Sequence, residues 1–255
     1  MPSSTVAQDA QQQPGRPTLS GGEALGPAGQ ITMITDQWFR GQLSTPGIRV
    51  ELREVFRKRE NGQLGVQYHV FVSGAPSGQT YTVMEWPVTQ AKPTPSTEGV
   101  TLGKDGIVMC AGRTPDECGN SEKPDDPIEF TYLPAKGEPY RMGLVSADGR
   151  TKAFWAVVPD PVQGKDRGCS VEAIRLMPRW EIAMLRVRGF RPSEQVTMST
   201  KSYGESHDAR VTVDAEGGFT TAVVRFVTGK SAGRTDVKLL GASCSPSVSF
   251  EWGTP

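Results

Sequence analysis

The stretch from Ile48 to Ser73 reads IRVELREVFRKRENGQLGVQYHVFVS and places Asn61-Gly62 between two runs rich in β-branched and aromatic residues. Asn-Gly adopts the positive φ angles that a two-residue type I′ turn requires, so the pattern predicts a β-hairpin. Counting outward from a two-residue loop gives the pairs Glu60–Gln63, Val55–Tyr68 and Glu54–His69. A β-bulge in either strand would shift this register beyond the bulge.

Short β-prone runs bounded by turn residues continue along the chain, and almost no stretch keeps a helical apolar period over about ten residues. In the first half the predicted strands are Thr80–Trp86, Ile107–Ala111, Ile128–Leu133, Tyr140–Ser146 and Ala153–Val158. In the second half they are Ile182–Val187, Gln195–Thr200, Ala209–Val213, Gly218–Phe226, Asp236–Leu240 and Val248–Trp252. Evenly spaced short strands of this kind predict an all-β chain of antiparallel β-sandwiches.

A polar connector divides the chain into two predicted domains. Residues Pro159–Asp166 read PDPVQGKD, a composition typical of an extended linker. We place the domain boundary near residue 165, which predicts one β-sandwich over 31–165 and an immunoglobulin-like sandwich over 166–255. Residues 1–30 contain no aromatic residue and a Gln run, so we expect a disordered tail.

Charge and hydropathy exclude several classes of partner. The 255 residues carry 28 basic and 28 acidic side chains, so neither nucleic acid nor an anionic membrane finds a bulk electrostatic attraction. No run of about 18 apolar residues occurs, which argues against a membrane-spanning helix. The sequence Thr5-Val6-Ala7 is compatible with the end of a signal peptide whose apolar part lies upstream, and we expect such a peptide to have been removed.

The four cysteines at positions 110, 118, 169 and 244 indicate an oxidising compartment. Four cysteines allow three pairings; proximity favours Cys110 with Cys118, which leaves Cys169 with Cys244. The second bridge would close a loop of about 76 residues and contribute on the order of 4 kcal/mol. A zinc site, or four unrelated free thiols in a cytosolic protein, are the competing interpretations.

Catalytic and cofactor motifs are not found, so the sequence predicts no catalytic, cofactor-binding or metal-binding residue. In Gly204-Glu205-Ser206-His207-Asp208 the Ser, His and Asp are adjacent, whereas a triad needs side chains that converge from distant positions. The acidic stretch from Asp116 to Glu129 lacks the EF-hand spacing, which favours a solvated loop over a calcium site. Gly-rich phosphate-binding signatures do not occur either.

Two sets of side chains could form a binding surface. Arg186 and Arg188 lie two residues apart and share one strand face, with Arg191 just beyond, which gives either a binding face or the solvent face of a sandwich. The chain also has five tryptophans, which are Trp38, Trp86, Trp155, Trp180 and Trp252. They favour core positions over a glycan-stacking surface, because tryptophan in a sandwich is more often buried.

Three stretches of the second half stand out, which are Gly189-Phe190-Arg191-Pro192-Ser193-Glu194-Gln195-Val196, Val213–Phe219, and Gly229-Lys230 with Gly233. They correspond to a Gly-Phe-x-Pro-x-Glu-x-Val pattern, an Asp-x-x-Gly-x-Phe hairpin and a glycine before the closing strand. On these motifs, residues 182–252 resemble the bacterial immunoglobulin-like repeats of surface and secreted proteins. The hairpin is one residue longer than the commonest spacing. The resemblance implies a spacer, adhesin or assembly module and carries no catalytic residue to this chain.

The sequence therefore predicts a non-catalytic, exported bacterial protein with a structural or binding role. We expect it to be secreted, periplasmic or on the cell surface, with a protein or glycan partner and no cofactor. A carbohydrate-binding protein, a homo-oligomeric filament subunit paired through an exposed strand edge, and a hydrolase that uses His69 or His207 remain the alternatives.

Overall fold

The computed structural model describes residues 44–87, 90, 92–110, 126–176, 182–224 and 227–253. Eight strands precede residue 160: β1 (Arg49–Glu60), β2 (Gln63–Ser73), β3 (Tyr81–Glu85), β4 (Thr94–Leu102), β5 (Val108–Met109), β6 (Phe130–Tyr132), β7 (Tyr140–Ser146) and β8 (Lys152–Val157). Eight strands follow it: β9 (Val162–Asp166), β10 (Cys169–Arg175), β11 (Ile182–Arg188), β12 (Gln195–Ser202), β13 (Glu205–Thr212), β14 (Phe219–Val224), β15 (Ala232–Leu240) and β16 (Ser247–Gly253). A single 3-10 turn, Lys104–Gly106, lies among the described residues.

The first sandwich packs a three-stranded sheet, β1-β2-β6, against a five-stranded sheet, β5-β4-β3-β7-β8. Alternation along β2 explains the arrangement, since its even-numbered residues from Leu64 to Val72 are buried and the residues between them are not. The core unites these side chains with Val100, Val108 and Leu144 of the facing sheet. Burial of this shared apolar surface is the main force that holds the two sheets together.

The second sandwich packs the sheet β14-β11-β10-β9 against the sheet β13-β12-β15-β16. Its core is separate from the first and includes Val171, Leu185, Val196 and Leu239, all fully buried. Every strand pairing within the described residues is antiparallel, so the predicted fold of tandem antiparallel β-sandwiches is confirmed.

The predicted hairpin forms with Asn61 and Gly62 at its turn, both at positive φ. Glu60 pairs with Gln63 as predicted, but the register shifts between Glu54 and Phe56. The predicted pairs Val55–Tyr68 and Glu54–His69 are therefore wrong, because the observed pairs are Glu54–Tyr68 and Arg53–His69. The cause is a bulge that leaves Val55 as one extra residue in β1.

Three observed strands were not predicted, namely β4, β9 and β10. Strand β9 lies inside the predicted connector and pairs with β10, and its Val162 is buried in the second core. A polar segment with prolines is compatible with an edge strand as well as with a linker. The sequence pattern therefore could not distinguish the two. The domain boundary near residue 165 stays a prediction.

The hairpin expected at Val213–Phe219 is wrong as a strand pairing. A tight turn does form there, because Asp214 Oδ1 accepts hydrogen bonds from the backbone N–H of Glu216 (3.0 Å) and of Gly218 (2.7 Å). The strands that it joins, β13 and β14, nevertheless lie in different sheets. The turn is thus a crossing between the two layers of the sandwich.

Several predictions fall on residues that lie outside the described part of the chain. They include the disordered tail at 1–30, the signal-peptide end at 5–7, and the strand ends at Ala111 and Phe226. Within the described residues, no helix has the length and apolar character needed to cross a membrane.

Candidate binding surfaces

The predicted arginine face lies on the outer side of β11, where Arg186 and Arg188 alternate with the buried core residues Leu185 and Val187. Arg186 is half-buried and forms an ion pair with Glu172 on the neighbouring strand, Nη1 to Oε2, at 3.3 Å. Arg188 is exposed. One of the predicted binding arginines thus already has a cross-strand carboxylate partner within the sheet.

The third arginine, Arg191, follows β11 in the Gly-Phe-x-Pro-x-Glu motif. Phe190 of this motif is a buried member of the second core. Glu194 accepts hydrogen bonds from the backbone N–H of Ala242 (2.5 Å) and of Arg191 (3.1 Å), so one carboxylate joins two turns. These bonds, that from Ala242 above all, lower the pKa of Glu194 from its ordinary 4.5. The motif therefore has a structural role in this fold.

A disulfide bond joins Cys169 to Cys244, across a sequence separation of 75 residues. Both cysteines are buried, at 3% and 4% exposure, and both belong to the second core. Cys110 is also buried and disulfide-bonded. Its predicted partner Cys118 lies outside the described residues, so the pairing of Cys110 with Cys118 stays a prediction.

The two histidines lie on different sandwiches, His69 on β2 and His207 on β13. Ser206, His207 and Asp208 are consecutive residues of one exposed strand, so their side chains alternate between its two faces. Of the stretch Gly204–Asp208, only Gly204 lies in a turn, because β13 begins at Glu205. Within the described ranges, no group of three or more His, Cys, Asp and Glu side chains could hold a metal ion. Most of the acidic stretch from Asp116 lies outside them.

Of the tryptophans, Trp155 and Trp252 are core residues, at 6% and 2% exposure. Trp86 is partly exposed, and the guanidinium of Arg141 lies over its ring, 4.0 Å from the centroid. Burial lowers the pKa of Arg141 to about 10. Trp38 and Trp180 lie outside the described residues. The described tryptophans therefore do not form the exposed aromatic face that a glycan-binding surface needs.

A cavity of about 270 Å³ opens where the 136–137 turn meets the second sandwich. Lys136, Arg175, Arg234 and Glu251 contribute to its lining, together with Phe250. Arg175 Nη1 donates a hydrogen bond to the Lys136 carbonyl at 3.1 Å. The Arg175 guanidinium at this cavity thus already has a backbone acceptor, and the negative charge of Glu251 interacts with it.

The segment before β9 makes further contacts next to the 136–137 turn. Arg57 Nη2 donates to the Pro159 carbonyl at 3.0 Å, and Arg59 forms an ion pair with Asp160 at 2.7 Å. The Asp160 carbonyl also accepts the Gly137 N–H at 2.6 Å. The long strand β1 therefore reaches the segment that leads into the second sandwich.

Among the described strands, β1 and β13 each lie at the edge of a sheet, and their charged side chains have different partners. On β1, charged residues pair along the strand itself, as Arg53 does with Glu51 and Arg57 with Glu54, both at 2.7 Å. On β13, Asp208 and Arg210 are exposed, and neither makes a side-chain hydrogen bond or ion pair with the described part of the chain. The sequence predicted a strand at Ala209–Val213, which covers the second half of β13, but it did not predict that this strand lies at a sheet edge.

Comparisons with known proteins identify no family. No protein-family model matches the sequence, and no curated protein matches it. Among solved structures, the chain is similar to the crystal structure of chicken CNTN1 FN1-FN3 domains, with 9% sequence identity and a TM-score of 0.21. The match covers 80% of this chain and 66% of that chain, slightly under two thirds of its length. A TM-score of this size does not define a shared fold.

Proposed function

We propose that this chain is an exported, non-catalytic bacterial protein that acts as a binding or structural module at the cell surface, in the envelope or in an extracellular assembly. The observation that carries the proposal is the buried Cys169–Cys244 disulfide of the second sandwich. Disulfides of this kind form and persist in oxidising compartments such as the periplasm and the extracellular space. A second bridge, Cys110–Cys118, belongs to the same proposal.

The module consists of two sandwich domains, one around each hydrophobic core, with an immunoglobulin-like second domain. In such a module the rigid sandwich carries surfaces that bind other molecules. Two surfaces of the second sandwich suit that role: the exposed Arg188 beside Arg191, and the open edge of β13. We propose a protein partner rather than a glycan. Of the described tryptophans, Trp155 and Trp252 are buried, and the guanidinium of Arg141 lies over the ring of Trp86.

Subcellular fractionation of the native host tests the proposal. The periplasmic, surface and extracellular fractions are separated from the cytoplasm, and the protein is quantified in each by mass spectrometry of its peptides. We expect it in the exported fractions, with a cytoplasmic enzyme as the control for lysis. A protein confined to the cytoplasm would contradict the proposal.

The hydrolase alternative has its own test, because it depends on the two histidines. If any hydrolytic activity is found in the purified protein, the double variant His69→Ala/His207→Ala should retain it in full. Loss of that activity in a variant with an unchanged melting temperature would favour an enzyme over a binding module. A matched control is Gln67→Ala, because Gln67 is partly exposed on the same face of β2 as His69.

A further inference from the structure

The open edge of β13 can pair with another strand. We propose that it pairs in antiparallel orientation with β13 of a second copy of this chain, in a symmetric dimer centred on Ala209. This inference rests on the proposed binding or structural function and names the partner for it. In this dimer the backbones of the two edge strands pair, and two pairs of opposite charges select the register.

Accessibility is the first requirement, and β13 meets it along its length. The strand has eight residues, of which only Ala209 and Val211 are partly covered. It pairs with β12 on one side without a register shift and ends the order β13-β12-β15-β16 on the other. A regular edge strand of this length, without proline, presents free N–H and C=O groups to a further strand.

Symmetry restricts the register of two identical antiparallel strands. The two-fold axis between them stands perpendicular to the sheet, so each side chain keeps its own face, and a residue can lie opposite only residues an even number of positions away. Two such registers cover seven residues of each strand, 205–211 centred on Asp208 and 206–212 centred on Ala209. Every other symmetric register buries less of the edge.

Charge decides between these two registers. The register centred on Asp208 places that carboxylate opposite its own copy, and like charges directly opposite each other destabilise a strand pair. The register centred on Ala209 places Asp208 of each copy opposite Arg210 of the other. Charged side chains on an edge normally prevent pairing. Here they prevent the wrong register and complement each other in the right one.

The other long edge strand, β1, provides the contrast. The Arg57–Glu54 ion pair is formed within that strand, and the bulge between Glu54 and Phe56 interrupts its pairing register. Both features protect an edge from further pairing. On β13, Asp208 and Arg210 have no such partner in the described part of the chain, so their charges are available to a second copy.

Sedimentation velocity on the full chain at low salt, over a dilution series, tests the proposal. We expect a reversible dimer for the native sequence. The variants Asp208→Arg and Arg210→Asp should each weaken it at least about tenfold, since each converts two attractive pairs into repulsive ones. The double variant Asp208→Arg/Arg210→Asp should return to within about threefold of the native dissociation constant. An equimolar mixture of the two single variants should also dimerise, because each supplies the charges that the other lacks.

The matched control is Lys238→Asp, which reverses an exposed charge on the same sheet but on β15, away from the edge. It should dimerise like the native chain. Hydrogen exchange on the native protein gives a second readout that needs no variant: protection of amides should rise with concentration in β13 only. A native chain that stays monomeric, or a dimer that all charge variants leave unchanged, overturns the proposal. A monomer that binds a different protein through β13 overturns the second-copy partner but leaves the proposed function standing.

Discussion

At the scale of the single residue, Glu194 shows how one carboxylate can hold two turns together. It accepts the backbone N–H groups of Ala242 and Arg191, and these bonds lower its pKa from 4.5. A carboxyl with a lowered pKa in the folded state adds stability above its unfolded pKa and loses that contribution as the pH falls through its folded pKa. The contribution of Glu194 should therefore begin to decline below about pH 4.5 and be lost as the pH falls through its lowered folded-state pKa.

Replacement of Glu194 by Gln tests this pH dependence. The amide cannot be protonated in this range, so the melting temperature of Glu194→Gln should fall less between pH 6 and pH 3 than that of the native protein. Differential scanning calorimetry at several pH values gives the comparison. Glu216→Gln, in an exposed turn, serves as the control and should follow the native curve. Parallel curves for the native protein and Glu194→Gln would contradict the assignment.

Gly189 occupies a position that excludes a side chain for two reasons. Its φ is +89°, and a Cβ atom there would lie 2.1 Å from the Gly168 carbonyl oxygen. We expect Gly189→Ala to lower the free energy of unfolding by roughly 2–4 kcal/mol, from backbone strain and steric overlap together. Gly204 has a similar φ of +86° with open space around it, so Gly204→Ala should cost roughly 1 kcal/mol. Urea titration of both variants checks this, and equal losses would contradict the steric argument.

At the scale of the element, the disulfide ties the start of β10 to the loop between β15 and β16. These elements belong to opposite sheets of the second sandwich. The double variant Cys169→Ala/Cys244→Ala should lose on the order of 4 kcal/mol, because the unfolded chain regains the freedom of a long loop. The midpoint of urea unfolding under non-reducing conditions measures the loss. A loss below about 1 kcal/mol would show that the bridge does not stabilise the sandwich.

The strands show which local signals a sequence carries and which it does not. Asn61-Gly62 predicted its hairpin because only a few residue types suit the positive φ angles of the turn. The bulge at Val55 could not be predicted, since a β-branched residue fits a regular strand equally well. The Asp214 turn was recognised correctly, but whether its strands pair or cross between sheets depends on the whole sandwich. The exposed edge of β13 could not be predicted for the same reason, because the order of strands is a property of the assembled sheet.

At the scale of the whole molecule, β9 allows the predicted domain boundary to be tested. Val162 is buried in the second core, and β9 forms the outer strand of the sheet β14-β11-β10-β9. A fragment of residues 159–255 should therefore unfold cooperatively with its disulfide intact. A fragment of residues 166–255 keeps the predicted boundary but lacks β9, so it should be less stable by roughly 2–4 kcal/mol. Urea titration of the two fragments compares them. Equal stabilities would support the boundary near residue 165.

Export into an oxidising compartment is the central claim at this scale, and it connects the fold to the proposed function. The cysteines provide the most direct test, because their oxidation state records where the chain has folded. The measurement is intact-mass analysis and peptide mapping of protein isolated from its native host under non-reducing conditions, with free thiols alkylated at lysis. We predict bridges Cys169–Cys244 and Cys110–Cys118 and a processed N-terminus. Four alkylated cysteines on a chain that begins at Met1 would contradict the account.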